Sequence, residues 1–502
     1  MSDRADRGRY GGRPACGGRP ACGGRRVGAP TNQPTTARAR GAARGPGGST
    51  LWGHMALGFS LSVAGGAALF ALGWATSHSE RGGLGALASL AGVCLCLATT
   101  YLSTAAAIEA KGALDGVDVG ALGALVAASL PFFLITQSRA GGAAGGAAMA
   151  SAVSLVAGFV FISATSLWAM FIAFEALLLS ALYILLLTSK SERARDAGLE
   201  MFVWTLLGSA GLLTGVGLLG GAHYAATLPA RWGLAPTLCF ILGFGVKVPL
   251  WPTTAWLLKA HVEASVEFSI LLSGFIVKIG VLGLHRTLAM ADEPQAGLLV
   301  AGLATVGLFD AASRLPAQRD LKRVVALTTV IEMNWAVLAL GLGGAQQVGV
   351  AGYLCLAHCL TTTTEFFLVE ALTKRFGTRD IAYVGGLALA APQLWVLSVA
   401  AALVTIGFPG TSLFWAKYLF FTSLLGALPG LAAALALLFL VALPVFFVRL
   451  WSLIWFGARG AGRGAHDATS REALLLSLSL GGGLCLGLCP GIVLWAFTPS
   501  CA

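Results

Sequence analysis

Charge is scarce in this sequence. Asp, Glu, Lys and Arg make up 11% of its 502 residues, against 57% hydrophobic residues and a mean hydropathy of +0.80. So little charge excludes a water-soluble globular domain and leaves an integral membrane protein. The formal net charge of +11 is misleading, because residues 1–50 hold ten arginines against Asp3 and Asp6, a net +8. The membrane body keeps only +3 and offers nothing to a nucleic acid. The ten cysteines lack the arrangement of a disulfide framework. Cys94 and Cys96, Cys239, Cys355 and Cys359, and Cys485 and Cys489 lie in apolar runs, where a thiol is a small hydrophobe. Cys355, His358 and Cys359 do not all share one helix face, which speaks against a metal site there.

What the sequence does contain is apolar runs long enough to span a bilayer, one after another from residue 51. Fourteen are expected, at about 55–77, 84–107, 118–137, 144–165, 167–187, 200–220, 236–257, 266–288, 296–313, 320–342, 347–373, 392–423, 427–456 and 472–498. With that count, the breaks after odd-numbered spans carry sixteen lysines and arginines, and the other side only Lys111, Arg231 and Arg286. A missed or extra span would have scrambled this asymmetry. Ahead of the spans, residues 1–50 are rich in Arg, Gly, Ala and Pro and carry the repeat GGRPACGGRPACGG. Such a composition buries no core, and reads either as an organellar targeting segment or as a retained basic tail. The expected division is therefore an extension at 1–50 and a membrane domain at 51–502.

The membrane part is organised around Leu242 to Arg286, where two apolar helical runs each carry one lysine, Lys247 and Lys278. Between them Pro249 and Pro252 interrupt the chain, and His261 follows. An ammonium in mid-membrane costs about 2.5–3.5 kcal/mol, so it is rare and usually functional. Interrupted backbone at that depth is tolerated only where protein buries it or water reaches it. Glu175 stands alone in the fifth run, and Glu267, Glu332, His358, Glu365 and Lys417 fall within or near others. Core packing or snorkelling suffices for Glu370 and Arg449, which approach span ends. Glu175, Lys247, Lys278 and Lys417 sit deep in separate spans, a series of acids and bases that points to a polar path. A second break, Gly407-Phe408-Pro409-Gly410, precedes Lys417, and broken helices beside a buried charge are how transporters build ion sites.

At these residues the sequence resembles the antiporter-like membrane subunits of respiratory complex I, in particular the NADH:ubiquinone oxidoreductase chain 4 family. The likeness runs over roughly residues 160–495. It is carried by AHVEASVEFSILLSGFIVKIGVLGLHR, QRDLKRVVALTTVIEMN, the Thr378-Arg379 pair with Gly385 and Gly386, PGTS at 409–412, and REALLLSLSLGGGLCLGLCPGIVL. The resemblance implies fourteen helices in an all-α polytopic membrane protein, with two inverted five-helix repeats in which helices seven and twelve are broken. It implies a proton relay in which Glu175 pairs with Lys247, Lys278 follows, and His358 stands on the eleventh helix.

The sequence also departs from that pattern. The family histidine of the tenth helix is Glu332 here, and the family glutamate of the twelfth is Lys417, so the two are expected to compensate each other as a charge pair. Lysine at that twelfth-helix position is usual in chains 2 and 5 and in Mrp-type antiporters. The usual proline after AHVEA is Ser265, and Glu365 adds an acid seven residues beyond His358 on one helix face. The relay is thus expected to comprise Glu175, Lys247, Lys278, His358, Lys417 and Glu332, with no metal and no cofactor in this chain. NADH, flavin, iron–sulfur clusters and ubiquinone are expected in partner subunits, since no nucleotide loop, flavin motif or cluster-binding cysteine spacing occurs. Expected partners are the other membrane-arm subunits, neighbouring antiporter-like subunits among them, and lipids. The expected location is the mitochondrial inner membrane, with a bacterial plasma membrane or a plastid thylakoid as alternatives. The competing functions are an Mrp-type cation/proton antiporter subunit and a non-conducting structural subunit.

Overall fold

The structure, a computed structural model, describes residues 142–164, 166–189, 191–220, 232–457 and 466–489. Expectations about the extension at 1–50, the first three spans and the last residues of the fourteenth lie outside these. Within the described residues the chain is helical, with two isolated bridges, Trp232 to Ala291 and Asp320 to Asp380, as the extended pairings.

Helix α1 (Gly142–Ser163) is followed by α2 (Leu167–Thr188) and α3 (Glu192–Leu218). The seventh span is split into α4 (Leu234–Lys247) and α5 (Ala255–Glu263), and α6 (Val266–Met290) follows. Then come α7 (Gln295–Arg314), α8 (Leu321–Leu342) and the 32-residue α9 (Ala345–Phe376). The twelfth span is split into α10 (Pro392–Ile406) and α11 (Ser412–Ala427), and α12 (Pro429–Phe456) and α13 (Ser470–Leu488) close the series. Among the described residues seven helices are long and apolar enough to cross a membrane. Helix α9 is not one of the seven, because His358, Thr361–Thr364 and Glu365 dilute its hydropathy; protein buries that stretch.

The burial pattern departs from that of a soluble protein. Large apolar side chains such as Ile172, Val203, Leu298 and Val445 face outward, while Lys247, Lys278, His261 and His358 are buried. In lipid the outer surface has nothing to gain from charge, and every ionisable group must be satisfied inside. The apolar windows of α6 and α8 are buried throughout, so these two helices sit at the centre of the bundle.

Helix ends follow their caps. Ser166, Ser191 and Asp320 each accept a backbone N–H of the following first turn, at 3.1 Å, 3.0 Å and 2.8 Å for the nearest. Ser191 explains one difference from the hydropathy pattern: α3 starts at Glu192, eight residues before the apolar run, and takes Arg193 and Arg195 into its first turns. Arg286 is a second difference. It is not a loop charge; its guanidinium is buried and donates to the Phe161 and Ile162 carbonyls, at 2.9 Å for Phe161. Those are terminal carbonyls of α1, of which Phe161 O also accepts the Ala164 N–H at 3.3 Å.

Both breaks have local causes. At the second, Gly407 and Gly410 take φ of 74° and 91°, a region that costs an L side chain but not glycine. At the first, Gly280 of α6 lets the interrupted backbone come close. A Cβ there would lie 2.5 Å from Val248 Cγ2 and 2.9 Å from both the Phe244 oxygen and the Val248 nitrogen. Trp256 Nε1 donates to the Val246 carbonyl at 3.1 Å, taking up one acceptor that the break leaves over.

Candidate functional site

Lys247 is the last residue of α4, where helix carbonyls favour a cation. It is 2% exposed, and its Nζ lies 4.8 Å from the centroid of the Phe174 ring. The charged group that acts on it is Glu175 of α2, which stops short of an ion pair at 4 Å.

Lys278 sits one helix further in. Residues Leu272–Ile276 of α6 form a π turn, in which each N–H reaches one residue further back than in an α-helix. The Ser273 carbonyl there takes the Lys278 Nζ as its donor. The same ammonium is 2.8 Å from His358 Nδ1 on α9, with Cys355 and Cys359 flanking it. The Ser273 hydroxyl is 2.7 Å from Thr329 Oγ1 on α8 and 2.9 Å from Thr362 Oγ1 on α9. Three helices therefore meet at one polar knot around a fully buried lysine.

Beyond His358 lies a cavity of about 20 Å³, lined by His358 with Glu332, Glu365, Lys417 and threonines of α8, α9 and α10. That is room for about one water. Lys417 Nζ and Glu332 Oε1 are 3.3 Å apart, both side chains about nine-tenths buried. The reversal of charge seen in the sequence is a direct ion pair between α11 and α8. Lys417 runs beside the second break, with Nζ 3.6 Å from where a Gly407 Cβ would be.

The structure thus brings Lys278 to His358 and Glu332 to Lys417, and leaves Glu175 and Lys247 adjacent but unpaired. The contacts of further groups emerge only in three dimensions. His261, at the end of α5, is fully buried and stacked on Phe366 at 4.9 Å between ring centroids. The last carbonyls of that half-helix are held by cations from elsewhere: Lys322 donates to Ala264, and Arg379 to Val262 at 2.6 Å. Arg379 also pairs with Asp320 at 3.3 Å. Both cations lie in motifs visible in the sequence, Lys322 within Gln318 to Asn334 and Arg379 in the Thr378-Arg379 pair, but their partners are not.

A helical bundle with apolar walls, two broken helices and ionisable groups buried along its interior defines a polytopic membrane protein with a polar axis. Residues 164–443 match the family described as NADH:quinone oxidoreductase/Mrp antiporter, TM, and the chain belongs to that family. NADH-ubiquinone oxidoreductase chain 4 of Paramecium tetraurelia is 27% identical over 336 residues, covering 63% of this chain and 69% of that one. Chain 4 of Acanthamoeba castellanii is 31% identical over 279 residues, 53% of this chain and 55% of that one. Subunit M of the NADH-quinone oxidoreductase of Rickettsia felis is 27% identical over 297 residues, 56% and 59% of the two chains. The matched stretch is thus between 55% and 69% of the length of these relatives.

Solved structures agree on the fold. A chain of respiratory complex I from Thermus thermophilus with bound NADH superposes with a TM-score of 0.70 at 25% identity, covering 88% of this chain and 97% of that one. A chain of an archaeal membrane-bound sulfane sulfur reductase gives 0.73 at 20% identity, covering 87% and 77%, which shows a shared fold alone.

Proposed function

We propose that this chain is a proton-translocating membrane subunit of an NADH:quinone oxidoreductase, with a proton path built from Glu175, Lys247, Lys278, His358, Glu332 and Lys417. The observation that supports this best is Lys278, held by the Ser273 carbonyl and within 2.8 Å of His358 Nδ1. An ammonium hydrogen-bonded to an imidazole nitrogen in a buried site is a proton donor already in contact with its acceptor. Lys247 with Glu175 supplies protons to it, and the cavity around Glu332 and Lys417 takes them away. No bond to a substrate is made in this chain.

Energy for the transfer comes from elsewhere. A Glu–Lys pair at about 6 Å and an effective dielectric near 20 interacts by roughly 2.8 kcal/mol. Carrying one charge across a membrane costs about 2.3 kcal/mol per 100 mV. One such pair therefore only matches the load at 100 mV, and redox chemistry in partner subunits, which hold NADH, flavin, iron–sulfur clusters and quinone, drives it. In this reading the partners are the other membrane-arm subunits, the location is the mitochondrial inner membrane, and residues 1–50 are the targeting extension.

The deciding experiment replaces Lys247 with alanine in the assembled complex, reconstituted into vesicles. Electron transfer with proton uptake lost is the expected result; unchanged proton uptake overturns the reading. The family description also covers Mrp antiporters, and copurification with NADH dehydrogenase activity separates the two.

A further inference from the structure

Resting on the reading above, we propose that Glu365 is the group on the far side of His358 that takes up and releases the proton, while Glu332 and Lys417 stay a fixed ion pair. The three charged groups that face this cavity are Glu332 from α8, Glu365 from α9 and Lys417 from α11, with His358 at its edge. Glu332 is committed to Lys417 at 3.3 Å. Each stabilises the charged form of the other, so neither is suited to change its protonation in turnover.

Glu365 is placed differently. Its side chain is buried and has no ion pair of 4 Å or less among the described residues; hydroxyls hold it instead. Thr405 Oγ1 donates to Oε1 at 2.7 Å, and Thr328 Oγ1 to Oε2 at 3.1 Å. Each hydroxyl has a second acceptor in reach, the Ala401 carbonyl at 3.0 Å for Thr405 and the Val325 carbonyl at 2.7 Å for Thr328. A hydroxyl owns one proton and cannot serve both acceptors at once.

The proton count then closes in both states. With Glu365 ionised, both threonines turn their protons to the carboxylate. With Glu365 protonated, its O–H donates to one threonine oxygen, and that threonine returns its own proton to the backbone carbonyl. The site offers full hydrogen bonding to carboxylate and carboxylic acid alike, by rotation of hydroxyls and without movement of helices. An ion pair has no such second arrangement.

The position fits as well. Glu365 lies two turns along α9 from His358, about 10 Å of helix rise. Both residues line the cavity, which has room for about one water. The step is a proton passed from the imidazole, by that water, to a carboxylate oxygen, and later released to the far side.

The test compares Glu365→Gln, Glu365→Asp and Lys247→Ala in assembled complexes reconstituted into vesicles. Glu365→Gln keeps size and polarity, and is expected to lower proton uptake per electron by at least about tenfold. Glu365→Asp retains part of it. In infrared difference spectra of the reduced against the oxidised complex, a carboxylic C=O band is expected to vanish in Glu365→Gln. Uptake within about twofold of the unaltered complex, or an unchanged carboxylic band, overturns the proposal. If Lys247→Ala also pumps normally, the wider reading fails; if Lys247→Ala stops and Glu365→Gln pumps, only this inference fails. Should Glu365→Gln not assemble, Thr405→Val leaves the carboxyl but removes its shorter hydrogen bond. It is expected to displace the pH profile of proton uptake by about one unit. A coincident profile overturns the proposal.

Discussion

Lys278 Nζ and His358 Nδ1, from helices 80 residues apart in sequence, are within 2.8 Å of each other at the centre of the bundle. An ammonium only donates, so Nδ1 accepts and the ring proton of neutral His358 belongs on Nε2. His358 also lines the cavity shared by Glu332, Glu365 and Lys417. The contact therefore sets the tautomer, leaving Nε2 as the ring's other donor. Either Lys278→Ala or His358→Ala is expected to lower proton uptake by about tenfold or more in the assembled complex. The double variant is expected to be no worse than either single one, because the two act as a unit. Vesicle proton-uptake measurements on all three decide it.

The Glu332–Lys417 pair makes a prediction about stability. Truncating Lys417 to alanine leaves a buried carboxylate without its cation, at a cost of about 3–5 kcal/mol. Adding Glu332→Gln to Lys417→Ala removes that charge, and is expected to recover most of the loss. Thermal unfolding in detergent, followed for both variants, checks the sign of the coupling. Equal instability of the single and double variants contradicts a direct pair.

Gly280 predicts a steric effect. Valine there would drive side-chain atoms into Val248 and the Phe244 carbonyl, where even a Cβ meets atoms at 2.5 Å and 2.9 Å. Overpacking of this kind costs about 1–3 kcal/mol, and here it presses on the break that follows Lys247. The expected outcome for Gly280→Val is less folded protein and, in what folds, impaired proton uptake. Size-exclusion yield together with uptake measures both.

Asp467 lies outside the membrane-spanning helices and caps α10 from a distance. Its carboxylate accepts the N–H groups of Gln393 and Leu394 at 3.1 Å and of Ala468 at 2.7 Å. Burial works to raise its pKa; these backbone donors, with Arg375 nearby, outweigh burial and hold it below the ordinary carboxylate value. A depressed folded value means stability that is complete above the unfolded value, about 3.9, and is lost as pH falls through the folded one. Asp467→Ala is expected to lower stability near pH 7 by about 1 kcal/mol, as loss of a helix cap does, and to flatten the acid limb of the melting profile.

Much of the architecture was legible along the chain because lipid imposes a one-dimensional rule. Any backbone crossing it must satisfy its own hydrogen bonds, so spans appear as apolar runs and breaks as Pro249, Pro252 and the Gly407-to-Gly410 segment. The expected runs at 167–187, 266–288 and 320–342 differ from α2, α6 and α8 by two residues or fewer at each end. Where the rule is silent, as at the start of α3, a serine cap moved the boundary by eight residues. Arg286 was misplaced for a related reason: its partners are carbonyls of a helix more than a hundred residues earlier.

The sequence by itself determined that this is a membrane bundle with costly ions inside it, because composition and spacing record the price of burial residue by residue. It also marked Glu332 and Lys417 as a reversal within the family pattern. Which ions touch was decided only by tertiary structure. Glu332 meets Lys417, Lys278 meets His358, and Lys247 lies over the Phe174 ring without an ion pair to Glu175. Contact distances follow from how helices pack, and a π turn or a glycine contact shifts a side chain by ångströms without a trace in hydropathy. The hydroxyls around Glu365 are the clearest case, since threonines of α8 and α10 become its partners only when those helices lie on either side of α9.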